Sequence, residues 1–334
     1  MKASFSSADT SLFFSRGDAQ DCRLGDLARG LPAMKSPTEL DATLREVTVT
    51  EKNSRHFVIA GYPDDEGIRL NGGRPGAANA PDAVRRPLYK MTPALSSPWP
   101  MGFQLWDAGN LSSAGASIES RHETVTAFAR TALDHGVGWI GIGGGHDYGF
   151  ADAAAFIESV SAKSSVRPLV INFDAHLDVR PTTKGLSSGT PFFRMLEKYP
   201  GVDFAEIGIQ GQCNSKSHLE WVLARGARVV TQEEVEASGE SLTTIVQRKL
   251  DEWLLRPRPV FLSIDIDGFS SAVAPGCSQS WATGFMPSEF FPCLQLLSQR
   301  LEVKMLSIYE VSPPLDQDGR TAKLAAQIIH RVIS

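Results

Sequence analysis

Short apolar runs alternate with helical patterns along most of this chain. The runs are Phe57–Ala60, Gly102–Trp106, Trp139–Ile142, Leu169–Phe173, Phe204–Ile209, Arg228–Val230, Val260–Asp265 and Met305–Tyr309. Several are apolar at successive positions rather than at every second one, which is how a strand covered on both faces reads. Between them, apolar residues recur at helical spacing over Ser120–His135, Tyr148–Val160, Ser217–Arg225, Ser241–Leu255, Pro287–Arg300 and Arg320–Ile333. Each has a polar, Gly or Pro residue at its start or stop. Strand then helix, repeated, predicts an α/β fold: three layers, α/β/α, around a mostly parallel sheet of about eight strands. No internal repeat or low-complexity linker interrupts the pattern, so residues 51–334 read as one domain. Residues 1–50 read as an irregular segment, because Met1 to Gln20 is Ser-rich and its apolar cluster Leu12-Phe13-Phe14 is shorter than a signal core.

Composition narrows the function. The chain has 334 residues, 42% of them apolar, enough to bury a large core. Its net charge is −5, with no Lys/Arg block, so nothing marks a nucleic-acid or anionic-membrane partner. A small-molecule partner is expected. No apolar stretch approaches the roughly 18 residues of a membrane span. Cys22, Cys213, Cys277 and Cys293 are scattered and form no Cys-x-x-Cys pair, which suits a reducing, cytoplasmic compartment.

The chemistry sits at the ends of the apolar runs. Asp174-Ala175-His176-Leu177-Asp178 follows Leu169–Phe173, and side chains two apart in extended backbone face the same way. Asp174, His176 and Asp178 can therefore line one cavity. The pattern returns in Ser263-Ile264-Asp265-Ile266-Asp267, and His146 closes Gly143-Gly144-Gly145-His146-Asp147. In open α/β sheets, ligands bind at the carboxyl ends of the strands, where all these residues fall. A lone strand-end Asp often caps the next helix, the first reading for Asp147. The glycines alone mark only a turn. Taken together, four carboxylates and two imidazoles in one cleft would repel one another unless divalent cations sat among them. Two ions bridged by carboxylates would lower the pKa of a shared water. Oxygen-rich ligation without thiolate favours Mn²⁺, with Zn²⁺, Fe²⁺ or Co²⁺ behind it.

These three motifs, followed by Ala274-Pro275-Gly276, resemble in order and separation the metal-binding motifs of the arginase/agmatinase/formimidoylglutamase ureohydrolases. The similarity runs from about Gly61 to the C-terminus. It implies an arginase-like fold, a homo-oligomer (trimer or hexamer) and two Mn²⁺ per subunit held by His146, Asp174, His176, Asp178, Asp265 and Asp267. It also implies attack of a metal-bridging hydroxide on an amidine or guanidine carbon. Tyr309-Glu310-Val311-Ser312-Pro313 resembles the segment whose Glu lies beside the substrate's amidine, giving Glu310 that role. Arginases carry a proton-shuttling His where this chain has none between His176 and His218. Ser187-Ser188-Gly189-Thr190-Pro191-Phe192, the loop Asn71–Gly76 and Gly208-Ile209-Gln210 with Asn214 resemble formimidoylglutamases instead. Those enzymes cleave N-formimino-L-glutamate to L-glutamate and formamide in histidine breakdown.

That substrate carries two carboxylates, so its pocket needs donors far from the metals. Arg74 and Arg180 are the candidates, since a guanidinium grips a carboxylate with paired hydrogen bonds. Ser187, Ser188, Thr190 and Asn214 are candidate neutral donors. Asp267, or a metal-bound water, would pass a proton to the leaving amine. Other ureohydrolases, such as a guanidino-acid hydrolase or an agmatinase, are the alternative, and a non-catalytic scaffold of the same fold a further one. Cys213 and Cys277 fall in loops on the same rim. Unpaired thiols are the first expectation for them, and a reversible disulfide the second.

Overall fold

A computed structural model describes residues 3–48, 56–93, 103–112 and 115–334. Its strands are β1 (Ser4–Phe5), β2 (Ala28–Gly30), β3 (His56–Gly61), β4 (Gln104–Ser112), β5 (Gly138–Ile142), β6 (Leu169–Phe173), β7 (Asp203–Ile209), β8 (Arg228–Thr231), β9 (Pro259–Asp265) and β10 (Glu302–Tyr309). They form a ten-stranded sheet in the order β1-β4-β3-β5-β10-β9-β6-β7-β8, with β2 also on β4. Every pairing is parallel except β1 with β4. The three-layer α/β/α expectation holds, and the sheet exceeds the expected eight strands.

The apolar runs are strands because both faces of the sheet are covered. Along β6, Leu169, Ile171 and Phe173 enter one core cluster and Val170 the other. Likewise Leu262 and Ile264 of β9 face one layer and Phe261 the other. The helix Tyr148–Lys163 lies against β9 and β10 and between the helices Ile118–Asp134 and Pro191–Lys198. It is buried on nearly every side, which its Ala-rich sequence permits. The helix Arg320–Ile333 is amphipathic and buries Leu324, Ile328 and Ile329 on the opposite layer.

Two expectations change. The described residues 3–48 are not irregular: β1, β2 and the helix Pro37–Thr48 lie there, and Phe5 and Leu40 are buried in the core. Strands of two and three residues carry too little periodicity to be seen in sequence. The proposed boundary between residues 50 and 51 lies outside the described residues, as does Gly102. The helix expected over Ser241–Leu255 stops at Lys249, and a 3-10 turn spans Asp251–Leu254. Arg228 donates to the Lys249 carbonyl, and the Asp251 carboxylate accepts from the Glu252 N–H, so both groups take up backbone atoms that a continued helix would use.

Candidate metal centre

The ligand candidates converge at the carboxyl ends of β5, β6 and β9. His146 Nδ1 lies 3.1 Å from Asp174 Oδ2, 3.1 Å from Asp178 Oδ2 and 3.2 Å from Asp265 Oδ2. His176 Nδ1 lies 3.4 Å from Asp174 Oδ1 and 3.3 Å from Asp267 Oδ2. Two groups result, His146/Asp174/Asp178/Asp265 and Asp174/His176/Asp267, each with its ligand atoms within 4.8 Å of one another. Asp174 belongs to both, offering one oxygen to each.

Local folding aims these atoms. The Asp174 and Asp265 carboxylates accept the His176 and Asp267 N–H groups, turning the chain out of each strand so that the second ligand faces back. Asp178 and Glu310 hold left-handed backbone, at φ 48° and 64°, a strain of about 1–3 kcal/mol each that accumulates at functional sites. The glycine run is required as well. A Cβ on Gly144 would sit 1.6 Å from the Asp64 carbonyl, and one on Gly143 2.4 Å from the Tyr309 ring. His146 itself stacks on Tyr309, with Phe192 edge-on, and its Nε2 contacts Ser263 Oγ at 2.9 Å. A ring donating from Nε2 leaves the Nδ1 lone pair for the cluster.

The residues fit a pair of cations. Among the described residues, the buried His146 Nδ1 makes no aligned hydrogen bond, although three carboxylate oxygens surround it, and Asp267 Oδ1 likewise has no partner. Without cations the charges are frustrated. Burial, then Asp267 and Asp174, push the Asp265 carboxyl well above its ordinary range. Burial is also the main cause that lifts Asp267 to about 6 and raises Asp178. Burial, then Asp265 and Asp267, does the same to Glu310. Asp174 alone goes down: burial opposes this, but His146 and His176 outweigh it. Removing several like charges from water is costly unless opposite charge is supplied.

Above the cluster opens a cavity of 740 Å³, reached by Asp178, Asp265, Asp267 and Glu310 from the floor and by Arg180, Lys184 and His218 from the wall. The expected substrate contacts divide. Arg180 and Ser188 line the cavity, joined through Asn71, whose Oδ1 accepts from Arg180 at 2.9 Å and whose Nδ2 donates to Ser188 Oγ at 3.2 Å. Arg74 does not line it: its guanidinium donates to the carbonyls of Cys277 and Ser278, so it braces a loop. Thr190 Oγ1 closes a turn on the Ser187 carbonyl, and the buried Ser187 donates its Oγ to Asn71 Oδ1 at 3.5 Å. Asn214 lines the cavity, but its side chain is spent on backbone, accepting from Leu177 N–H and donating to the Ala175 and Gln210 carbonyls. It supports the His176 loop. Cys213 and Cys277 are both free thiols, the first partly buried on the cavity wall and the second buried in the core, so the disulfide expectation is not met in this structure. Sequence reading missed Asn71, Lys184, His218 and Trp281 on the cavity wall. Asn71 stood in a loop already singled out, but its partners lie more than a hundred residues away.

A parallel sheet with acidic and imidazole ligands gathered at its carboxyl edge defines a class of α/β proteins built to hold paired cations over a cleft. A sequence model of the Arginase family matches residues 55–334, and the chain belongs to that family. It is 30% identical to formimidoylglutamase of Aeromonas hydrophila over 279 residues, 82% of this chain and 85% of the relative. It is also 30% identical to formimidoylglutamase of Streptococcus pyogenes over 298 residues, 87% and 88% of the two chains. Among solved structures it resembles Trypanosoma cruzi formiminoglutamase with Mn²⁺, at TM-score 0.73 and 26% identity, covering 87% of this chain and 96% of that one. Formimidoylglutamase of Bacillus subtilis has the same fold, at TM-score 0.76 and 21% identity, over 96% and 93% of the chains.

Proposed function

We propose that this protein hydrolyses N-formimino-L-glutamate to L-glutamate and formamide, with His146, Asp174, Asp178 and Asp265 holding one Mn²⁺ and Asp174, His176 and Asp267 a second. The observation that carries this reading is the sharing of Asp174 between two ligand clusters beneath a cavity walled by Arg180. The relatives named formimidoylglutamase, and one solved with Mn²⁺, support the choice of reaction and metal. When bound, the ions supply a water acidic enough to act as nucleophile near neutral pH and offset the crowded carboxylates.

The chain's own residues do the rest. Glu310, on the cavity floor with Oε1 held 3.1 Å from the His146 N–H, grips the amidine nitrogens and turns the carbon toward the cluster. Water oxygen bonds to that carbon, and the carbon–nitrogen bond to glutamate breaks. Asp267, whose Oδ1 has no hydrogen-bond partner among the described residues, passes a proton to the departing nitrogen. Arg180, oriented by Asn71, takes the substrate carboxylates, with Ser188 and Lys184 beside it. Arg74, Ser187, Thr190 and Asn214 shape the surrounding loops.

The decisive assay is product identity with Mn²⁺-reconstituted protein: formamide from N-formimino-L-glutamate supports the reading, and urea from agmatine or a guanidino acid replaces it with another ureohydrolase activity. Arg180→Ala is expected to lower kcat/KM about 10- to 100-fold, mostly through KM, because a charged hydrogen bond contributes about 1.5–3 kcal/mol. Arg180→Lys should recover little, as an ammonium cannot make the paired contact. An unchanged KM in both variants would remove Arg180 from recognition. No helix of the described residues is long and apolar enough to cross a membrane. A cytoplasmic enzyme assembled as a homotrimer or hexamer completes the proposal, and light scattering on the purified chain tests the assembly.

A further inference from the structure

One residue row below the ligands, the sheet carries a line of polar side chains. Glu206 of β7 pairs in register with Asn172 of β6, Asn172 with Ser263 of β9, and Ser263 with Ser307 of β10. All four are fully buried. They share the face of Val170, Phe204, Phe261 and Met305, two residues before them on the same strands, in one core cluster. In a parallel sheet covered on both sides, such a row costs desolvation at every position, so what it holds in place matters. Two members touch ligands: Ser263 Oγ meets His146 Nε2 at 2.9 Å, and Asn172 Nδ2 donates to Asp174 Oδ2 at 3.2 Å.

Glu206 is the costliest member. Among the described residues its carboxyl accepts one hydrogen bond, from Asn172 Nδ2 at 2.9 Å, while Oε1 has no partner. Burial, then the nearby Asp174, push its carboxyl well above the ordinary carboxylate range. A leucine there would pack at lower cost. What Glu206 provides is direction: the Asn172 amide has two N–H groups, and anchoring one on Glu206 aims the other at Asp174. We propose that Glu206 is a positioning residue that acts through Asn172 on Asp174, holding the carboxylate shared by both clusters at the angle that serves both. This rests on the metal-centre reading above.

The test is calorimetric titration of Mn²⁺ into chelator-stripped protein, independent of turnover. Glu206→Leu is expected to fold, by circular dichroism, and to bind Mn²⁺ about 10- to 100-fold more weakly, the usual loss when a group behind a ligand is removed. Glu206→Gln keeps an acceptor for Asn172 and should retain the wild-type affinity. A folded Glu206→Leu protein binding as tightly as wild type overturns the proposal, and so does a Gln variant that falls as far as the Leu one. If the Leu variant does not fold, Asn172→Val cuts the same link from the other side, and undiminished affinity there overturns it equally. Wild-type protein that takes up no Mn²⁺ overturns the metal-centre reading itself, and this inference with it, a result unlike any of the variant outcomes.

Discussion

Asp174→Ala is expected to lose both Mn²⁺ ions and to release formamide about 10³- to 10⁴-fold more slowly than the wild type. Each Asp174 oxygen belongs to a different cluster, so one substitution leaves both groups short of a ligand. Asp178 and Asp267 each belong to one group, and their removal should affect chiefly one ion. The rate figure corresponds to the several kcal/mol of charge stabilisation that bound cations supply, at about 1.4 kcal/mol for each factor of ten. A second readout is thermal. At about a thousandfold excess of Mn²⁺ over its dissociation constant, binding stabilises a folded protein by about 4 kcal/mol, so the wild-type melting temperature should rise by several degrees and that of Asp174→Ala should not move. Metal analysis and thermal scans with Mn²⁺ and with chelator decide the matter. A variant that still carries two ions per subunit contradicts the shared-ligand geometry.

Glu310→Gln is expected to keep both ions and lose about 10²- to 10³-fold in kcat, the scale measured when one preorganised electrostatic contact to a reacting group is removed. The side chain is 5% exposed and held by its backbone as much as by its surroundings. Its N–H donates to the Gly144 carbonyl, its φ is 64°, and Oε1 takes the His146 N–H. Glutamine preserves the shape and an acceptor for His146 while removing the charge that an amidinium would face. Retained metal with reduced kcat assigns Glu310 to the substrate, whereas loss of metal would make it part of the cation site. A full rate in Glu310→Gln removes it from the reaction.

The clustering of Asp174, His176, Asp178, Asp265 and Asp267 was legible in sequence because they end apolar runs, and an open parallel sheet gathers its strand ends at one edge. The extended alternation expected there does not hold: β6 stops at Phe173 and a 3-10 turn spans Ile266–Gly268, and it is turns capped by the Asp174 and Asp265 carboxylates that bring His176 and Asp267 to the same side. His146 was less constrained by sequence, and the close approach of Asp64 and Tyr309 explains the glycines that precede it. The substrate wall was legible only in part. Arg180 and Ser188 do line the cavity, but Arg74 turns away because its partners are carbonyls about two hundred residues later, a contact no local pattern encodes. Thr190 and Asn214 were singled out as donors to a ligand, whereas backbone groups absorb them, as short polar side chains in turns often are. The polar row beneath the site was invisible for another reason: Glu206, Asn172, Ser263 and Ser307 become neighbours only through the register of parallel strands.

The two short N-terminal strands bear on how the chain behaves when shortened. β4 pairs with β3 on one side, and on the other β1 covers Leu111 and Ser112 while β2 covers Leu105, Trp106 and Asp107. A truncation beginning after residue 30 would spare every ligand yet bare that flank of β4, offering unpaired amides and carbonyls to any other chain. Such a protein is expected to self-associate and precipitate at concentrations where the full chain stays dispersed, as size-exclusion chromatography would register. Residues distant from the chemistry thus act as a selvedge, finishing the sheet so that molecules do not stitch together along it.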